Sequence, residues 1–257
     1  STWVLAACGF AAWALHRGLS SEKFSRRWFA AAAVTFVAAI GFWGIRPNVD
    51  EAVFLDVGQG DATVVRSKTG GVLVVDAGDR IASVDYGERS VAAYLRSQGI
   101  PRIDALVTTH ADKDHAGGIE YVLRHFRVDA LYLTHTDSGD VIEDTIERVA
   151  AERGVPLRRI SQGEALEVAG LGIEVLHPPA DWDAQVSDND RSVVLRVTIG
   201  GKRVLLTGDI EGDAERRLAG LDCLAEVLKV PHHGSRTSSS SVFVDAVDPE
   251  LAVVSTG

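Results

Sequence analysis

Four metal-capable side chains fall within six residues of this chain. They are His110, Asp112, Asp114 and His115, in the stretch IDALVTTHADKDHAGG that covers residues 103–118. Imidazole and carboxylate together suit divalent first-row cations. Ala111 and Ala116 are too small to block access, and Gly117 and Gly118 let the chain turn tightly into the segment that follows. Two further sets occur downstream, each closing an apolar run: Asp209 after VLLTG, and His232 with His233 after VLKVP. A carboxylate placed after a buried strand and a glycine can bridge two cations. Asp76 ends another such run, VLVV, and is read as a carboxylate outside the ligand set that fixes the His110 loop. Gln59 and Asp61, in VGQGD, suit either a hairpin turn or a loop that closes on the site. A solvated polar loop would explain one of these clusters. Three strands that each end in metal-capable residues point instead to a site along one sheet edge.

The elements that must position these residues are short. EAVFLDV, ATVVRS and VLVVDAG read as strands separated by Gly turns. A helix is expected over 88–98, stopped by Gly99 and Pro101. After the central strand and its cluster come a helix near 117–126, the strand VDALYLT and a helix near 140–153. Strands follow near 164–168, 171–176, 192–199 and 202–207, then a short helix at 211–219 and the strand AEVLKV. SSSS at 238–241 reads as a helix start, and ELAVVS as a last strand. Strands with interspersed helices in both halves predict an α/β sandwich of sheets with helices outside. Of the remaining histidines, His125 reads as a helix-end residue, His135 as a loop residue and His177 as part of a rigid turn before Pro178. His16 lies at a membrane boundary.

The first 48 residues differ in kind. Residues 1–15 are almost wholly apolar, and 28–45 form an 18-residue run without charge, flanked by Trp28 and Trp43. At about 1.5 Å per residue such a run spans a bilayer core. Both runs are read as transmembrane helices, the first truncated. The loop between them carries Arg17, Lys23, Arg26 and Arg27 against Glu22. A basic loop of this kind belongs in the cytoplasm, which puts everything after Pro47 on the extracytoplasmic side. The chain begins with Ser and contains no Met, so it reads as part of a longer reading frame. Residues 1–49 carry five Lys/Arg and one acid, +4, so the remainder carries −14 of the net −10. An acidic domain is not a general polyanion binder, which counts against capture of nucleic acid by surface charge alone. Cys8 and Cys223 supply no disulfide framework.

HADKDH, LLTGD and HHGS, in that order, resemble the metallo-β-lactamase superfamily, an αββα sandwich with a one- or two-metal site. FLDVGQGDA, NDRSVVL and LKVPHHGS with Ser238 resemble more narrowly the C-terminal domain of the DNA-uptake channel protein ComEC. The resemblance covers roughly residues 51–257. It implies residues 1–48 as the membrane-helix end of a channel domain and 49–257 as the hydrolase domain, truncated at its C-terminus. It places His110 and Asp112 at a first metal, Asp114 and His115 at a second, Asp209 between them, and one of His232 and His233 on the second. The usual HxHxDH has Asp112 at its second His, and the third-motif His is replaced in SDNDRS, where Asn189 is the matching residue. More oxygen and less imidazole makes Mn²⁺ a competitor to Zn²⁺ as the divalent metal ion. Asp112 or Asp114 would steer a water, and His233 or Ser235 would position phosphate oxygens. The implied activity is a metal-dependent phosphodiesterase or nuclease that degrades the non-imported DNA strand during natural transformation, with single-stranded DNA, the membrane and the DNA-uptake machinery as partners. VGQGD also occurs in phosphocholine esterases of the superfamily, so a small-molecule phosphoester hydrolase is the alternative, and a non-catalytic DNA-channel module a further one.

Overall fold

The structure is a computed structural model that describes residues 49–134, 140–181 and 186–256, together with isolated positions before residue 49. The chain divides into two compact units, Ser1–Pro47 and Asn48–Gly257. Among the described residues no helix is long and apolar enough to cross a membrane. The transmembrane readings at 1–15 and 28–45 lie outside the described residues, isolated positions apart.

The second unit opens with β1 (Glu51–Phe54), β2 (Thr63–Arg66), β3 (Val72–Val75) and the small hairpin β4 (Arg80–Ile81) and β5 (Val84–Asp85). A π-helical turn, Gly87–Ala92, leads into α1 (Ala93–Gln98), which stops at Gly99 as its sequence predicts. Next come β6 (Arg102–Ile103), β7 (Ala105–Val107), α2 (Lys113–Ala116), α3 (Ile119–His125), β8 (Arg127–Val128), β9 (Leu131–Thr134), α4 (Val141–Arg153) and β10 (Leu157–Ile160). The second half holds β11 (Ala165–Val168), β12 (Leu171–His177), β13 (Val194–Ile199), β14 (Lys202–Leu206), α5 (Gly212–Ala219), β15 (Val227–Lys229), α6 (Ser241–Val247) and β16 (Leu251–Val253).

The strands form two six-stranded sheets, ordered β1-β2-β3-β7-β9-β10 and β11-β12-β13-β14-β15-β16. Each begins as an antiparallel meander and ends in parallel strands. Alternate residues of one strand serve two different cores. Val65, Leu73, Val75 and Val107 pack between the sheets against Ile173, Leu195, Val197 and Leu206. Val64, Val74 and Leu106 face the other way, toward Leu95, Ile119, Leu123 and Ile146 of α1, α3 and α4. Val194, Leu205 and Leu228 likewise meet Leu218 and Phe243 of α5 and α6. Central strands covered on both faces read as continuous apolar runs, which is why VLVV and VLL are unbroken. The result is helix, sheet, sheet, helix.

Several elements depart from the sequence reading, the unexpected hairpin β4–β5 among them. The helix expected near 117–126 begins earlier, as α2, and restarts as α3 after Gly118. At Gly118 the backbone passes so close to the neighbouring chain that a Cβ would stand 2.4 Å from the Ala77 carbonyl oxygen and 2.5 Å from the Gly87 nitrogen. No strand is expected at 157–160, yet β10 forms there, parallel to β9. Its two arginines hid it. Arg159 is tied to Glu143, Glu147 and the Thr134 carbonyl, and Arg158 faces solvent at the sheet edge.

Candidate metal centre

Parallel pairing decides where the chemistry gathers. Val75 of β3 lies beside Val107 of β7, and Leu205 of β14 beside Leu228 of β15. Parallel neighbours end on the same side, so Asp76 and His110 leave one sheet together, and Asp209 and His232–His233 leave the other together. The Val193 N–H donates to the Thr109 carbonyl at 2.8 Å and joins the two sheets at this edge.

Asp76, almost fully buried and at φ 58°, holds the first set. Its carboxylate accepts the Thr109 N–H and the Thr109 hydroxyl, each at 2.8 Å, and lies 2.9 Å from His115 Nδ1. It reaches His110 only through Thr109, whose Oγ1 is 3.0 Å from His110 Nδ1. His115 and Asp114 sit on α2. That turn closes because the Asp112 carbonyl accepts the N–H groups of His115 and Ala116, at 3.0 and 2.8 Å.

In the second set, Asp209 Oδ1 lies 3.1 Å from His115 Nε2, and its Oδ2 lies 3.5 Å from His233 Nε2 and 3.9 Å from His232 Nε2. His233 Nε2 is also 3.3 Å from Asp114 Oδ2. His232 and His233 are consecutive left-handed residues, at φ 46° and 51°. Such backbone costs roughly 1–3 kcal/mol per residue and is kept where the surrounding structure imposes it.

Asp114, His115, Asp209 and His233 each present one ligand atom, all within 4.8 Å of one another. His110, Asp112 and His232 stand outside that quartet. The His110 ring lies 4.3 Å from that of His115, and its Nε2 is 3.6 Å from Asp112 Oδ2, whose side chain is half exposed. His232 leans on Glu211, with Nδ1 2.7 Å from Oε1, and Thr237 donates its hydroxyl to the same oxygen. Asp61 is buried in an ion pair with Lys229. Ser235 Oγ is engaged within its own turn, 2.8 Å from Thr237 Oγ1. Asn189 starts the short turn Asn189–Arg191, and the contact from this stretch to His110 is made by Ser192.

Sequence reasoning missed Ser192 and Glu211. The Ser192 hydroxyl lies 3.3 Å from His110 Nδ1 and accepts the Asp209 N–H at 3.1 Å, so one buried residue braces both sets. The available signal was its place just before β13, within NDRSVVL.

The charges polarise one another. Burial opposes charge on His115, but Asp209 and Asp76 outweigh it and hold the ring well above the usual imidazole range. Asp114 raises His233 against the effect of burial. Burial pushes Asp209 up, and His115, with the other imidazoles nearby, pulls it far below the usual carboxylate range. Asp112 is lowered by His110. Several buried atoms have no hydrogen bond: His110 Nε2, His115 Nε2, Asp209 Oδ1 and both ring nitrogens of His233. Buried polar atoms of this kind are rare without a ligand, water or catalytic role. Two imidazoles and two carboxylates converging on one space fit a divalent cation.

The chain matches the Metallo-beta-lactamase superfamily over residues 55–257. It belongs to that superfamily. Among curated proteins it is 32% identical over 221 residues to ComE operon protein 3 of Bacillus subtilis, covering 80% of this chain and 28% of that protein. It is 32% identical over 262 residues to Competence protein ComA of Neisseria gonorrhoeae, covering 99% of this chain and 33% of that protein. The chain thus spans about a third or less of the relatives it matches. The resemblance to the ComEC family read from the sequence is shown by these relatives. Among solved structures, the diiron beta-hydroxylase CmlA of Streptomyces venezuelae is similar, at 13% identity and a TM-score of 0.52, covering 86% of this chain and 47% of that one. That likeness shows the fold alone, and the fold by itself does not choose a reaction.

Proposed function

We propose that this chain is the metal-dependent phosphodiesterase or nuclease domain of a membrane DNA-uptake protein, and that it degrades the DNA strand that is not imported. The observation that carries the reading is the quartet Asp114, His115, Asp209 and His233, whose buried His115 Nε2 and His233 Nε2 make no hydrogen bond and face carboxylates, in a chain whose relatives are competence proteins. The quartet would hold one divalent ion, Mn²⁺ or Zn²⁺, and His110 with Asp112 would hold a second, with Asp209 between them. Bound there, such ions supply Lewis acidity and a nucleophilic water at neutral pH. Asp76 and Ser192 fix the imidazoles and Asp209 in place. Asp112, half exposed, or Asp114 would orient an incoming water. The domain would sit on the extracytoplasmic side, carried by the apolar runs at 1–15 and 28–45, with the uptake machinery as its partner.

The test is metal analysis of the chain followed by cleavage assays in Mn²⁺ and Zn²⁺, comparing single-stranded DNA, duplex DNA and a chromogenic phosphodiester. Metal uptake with cleavage of single-stranded DNA is the expected result. Cleavage of the small ester alone would favour the phosphocholine-esterase-like reading. Metal-free protein without activity would favour a non-catalytic channel module.

A further inference from the structure

Lys229 is a charged side chain in the interior of the domain, 2% exposed at the end of β15. Its ammonium lies 2.8 Å from Asp61 Oδ2 and donates to the Val230 carbonyl at 3.1 Å. Asp61 is itself only 5% exposed. Its other oxygen, Oδ1, is buried without a hydrogen bond and lies 3.9 Å from His233 Nδ1, which is also buried without one. The opposite nitrogen of that ring, Nε2, is the atom that faces Asp114 and Asp209.

The backbone around Asp61 is fastened to the same place. The Asp61 N–H donates to the Asp114 carbonyl at 3.1 Å, and the Asp61 carbonyl accepts the Gly78 N–H at 2.9 Å. Gly60 stands at φ +136°, and a Cβ there would be 2.3 Å from the Asp114 carbonyl oxygen. Only glycine allows the loop to lie so close beneath α2. VGQGD is therefore more than a hairpin turn: it delivers one carboxylate to the back of one imidazole.

Stability does not account for a buried ammonium–carboxylate pair. Replacing such pairs by apolar residues of similar size is often neutral or stabilising, because the desolvation cost is large. A carboxylate behind a ligating histidine, by contrast, fixes the ring and strengthens the ligand. We propose that Asp61 and Lys229 are positioning residues for His233. Asp61 sets the ring with Nδ1 toward the carboxylate and Nε2 toward the cluster, and Lys229 holds Asp61 in register and balances its charge in the interior. This inference rests on the reading that the quartet holds a divalent ion.

The experiment uses the full chain and the variants Asp61→Asn, Lys229→Met and the two combined. Mn²⁺ and Zn²⁺ affinities are measured by titration calorimetry, and melting temperatures are measured without metal. Asp61→Asn should weaken metal binding about 10–100-fold. Each single change leaves a buried charge unpaired and should lower the melting temperature. The double variant should recover the melting temperature while keeping the loss of affinity. In a His233→Ala background, Asp61→Asn should cause no further loss. The inference is overturned if the double variant regains both stability and affinity, if Asp61→Asn binds metal as wild type does, or if the Asp61 and His233 losses add. Should a single variant fail to fold, the double variant decides. Wild-type chain that takes up neither ion rejects the metal reading and this inference with it, whereas metal-binding wild type with unaffected variants rejects only the brace.

Discussion

Asp209 is the residue on which most of the site's charge converges, with His115, His233 and His232 all within 3.9 Å of its carboxylate oxygens. Asp209→Asn keeps the volume and removes the charge. It should lower metal per chain and affinity by more than Asp76→Ala, which acts through His115 and Thr109 and should cost only about 10–100-fold. Metal analysis by mass spectrometry after gel filtration checks both, and normal stoichiometry in the Asp209 variant would remove it from the ligand set. His177 governs a different property. It is buried, with Nε2 2.7 Å from the Asp190 carbonyl, and burial lowers its pKa from 6.5 to about 4. The folded state thus binds fewer protons there than the unfolded state. The stability this contributes is fully present above pH 6.5 and is lost as pH falls from 6.5 to about 4, a loss of about 3 kcal/mol. His177→Gln should therefore show a flatter stability profile than wild type in that window, measured by urea denaturation. Equal slopes would show that His177 does not contribute.

At the level of elements, α6 shows what sequence signals do and do not fix. SSSS predicts the helix start, and α6 does begin at Ser241. The serines do not cap it. Ser240 makes no side-chain cap bond, and the fully buried carboxylate of Glu215, on α5, accepts the N–H groups of Ser239 and Ser240. Hydrogen bonds to a buried charge are worth about 1.5–3 kcal/mol. Two such bonds amount to about 3–6 kcal/mol, so Glu215→Ala should lower the melting temperature by roughly 6–24 °C, while Ser240→Ala should stay within about 0.5 kcal/mol of wild type. Thermal denaturation of the two variants decides between them, and the reverse order would restore the serine cap. The same division runs through the whole fold. Strands buried on both faces were legible because burial writes itself as unbroken apolar runs, as at VLVV and VLL. β10 was not legible, because an edge strand can carry Arg158 and Arg159. His110, Asp209 and His233 stood out as polar residues closing apolar runs. Ser192, Glu211, Lys229 and Glu215 did not, because their partners lie 17 to 168 residues away and no local periodicity marks such pairs.

For the molecule as a whole, charge limits how it can meet its substrate under the proposed function. The region after residue 49 carries −14, and a surface of that sign repels nucleic acid at long range. Local positive charge would come from cations held by the quartet, not from the surface. Intrinsic affinity for single-stranded DNA should therefore be weak and dependent on divalent ions. If the domain is attached to a channel, as proposed, that channel would deliver the strand by raising its effective concentration without new contacts. Few phosphate contacts also mean a shallow salt dependence, since each contributes about −0.7 to the logarithmic slope for single strands and about −0.9 for duplex. Binding of single-stranded DNA measured with and without Mn²⁺ over a salt series tests this, with a slope near that of one or two contacts expected. Tight, metal-independent binding with a steep slope would show a basic groove that outweighs the net charge, and the account of delivery by the channel would fall with it.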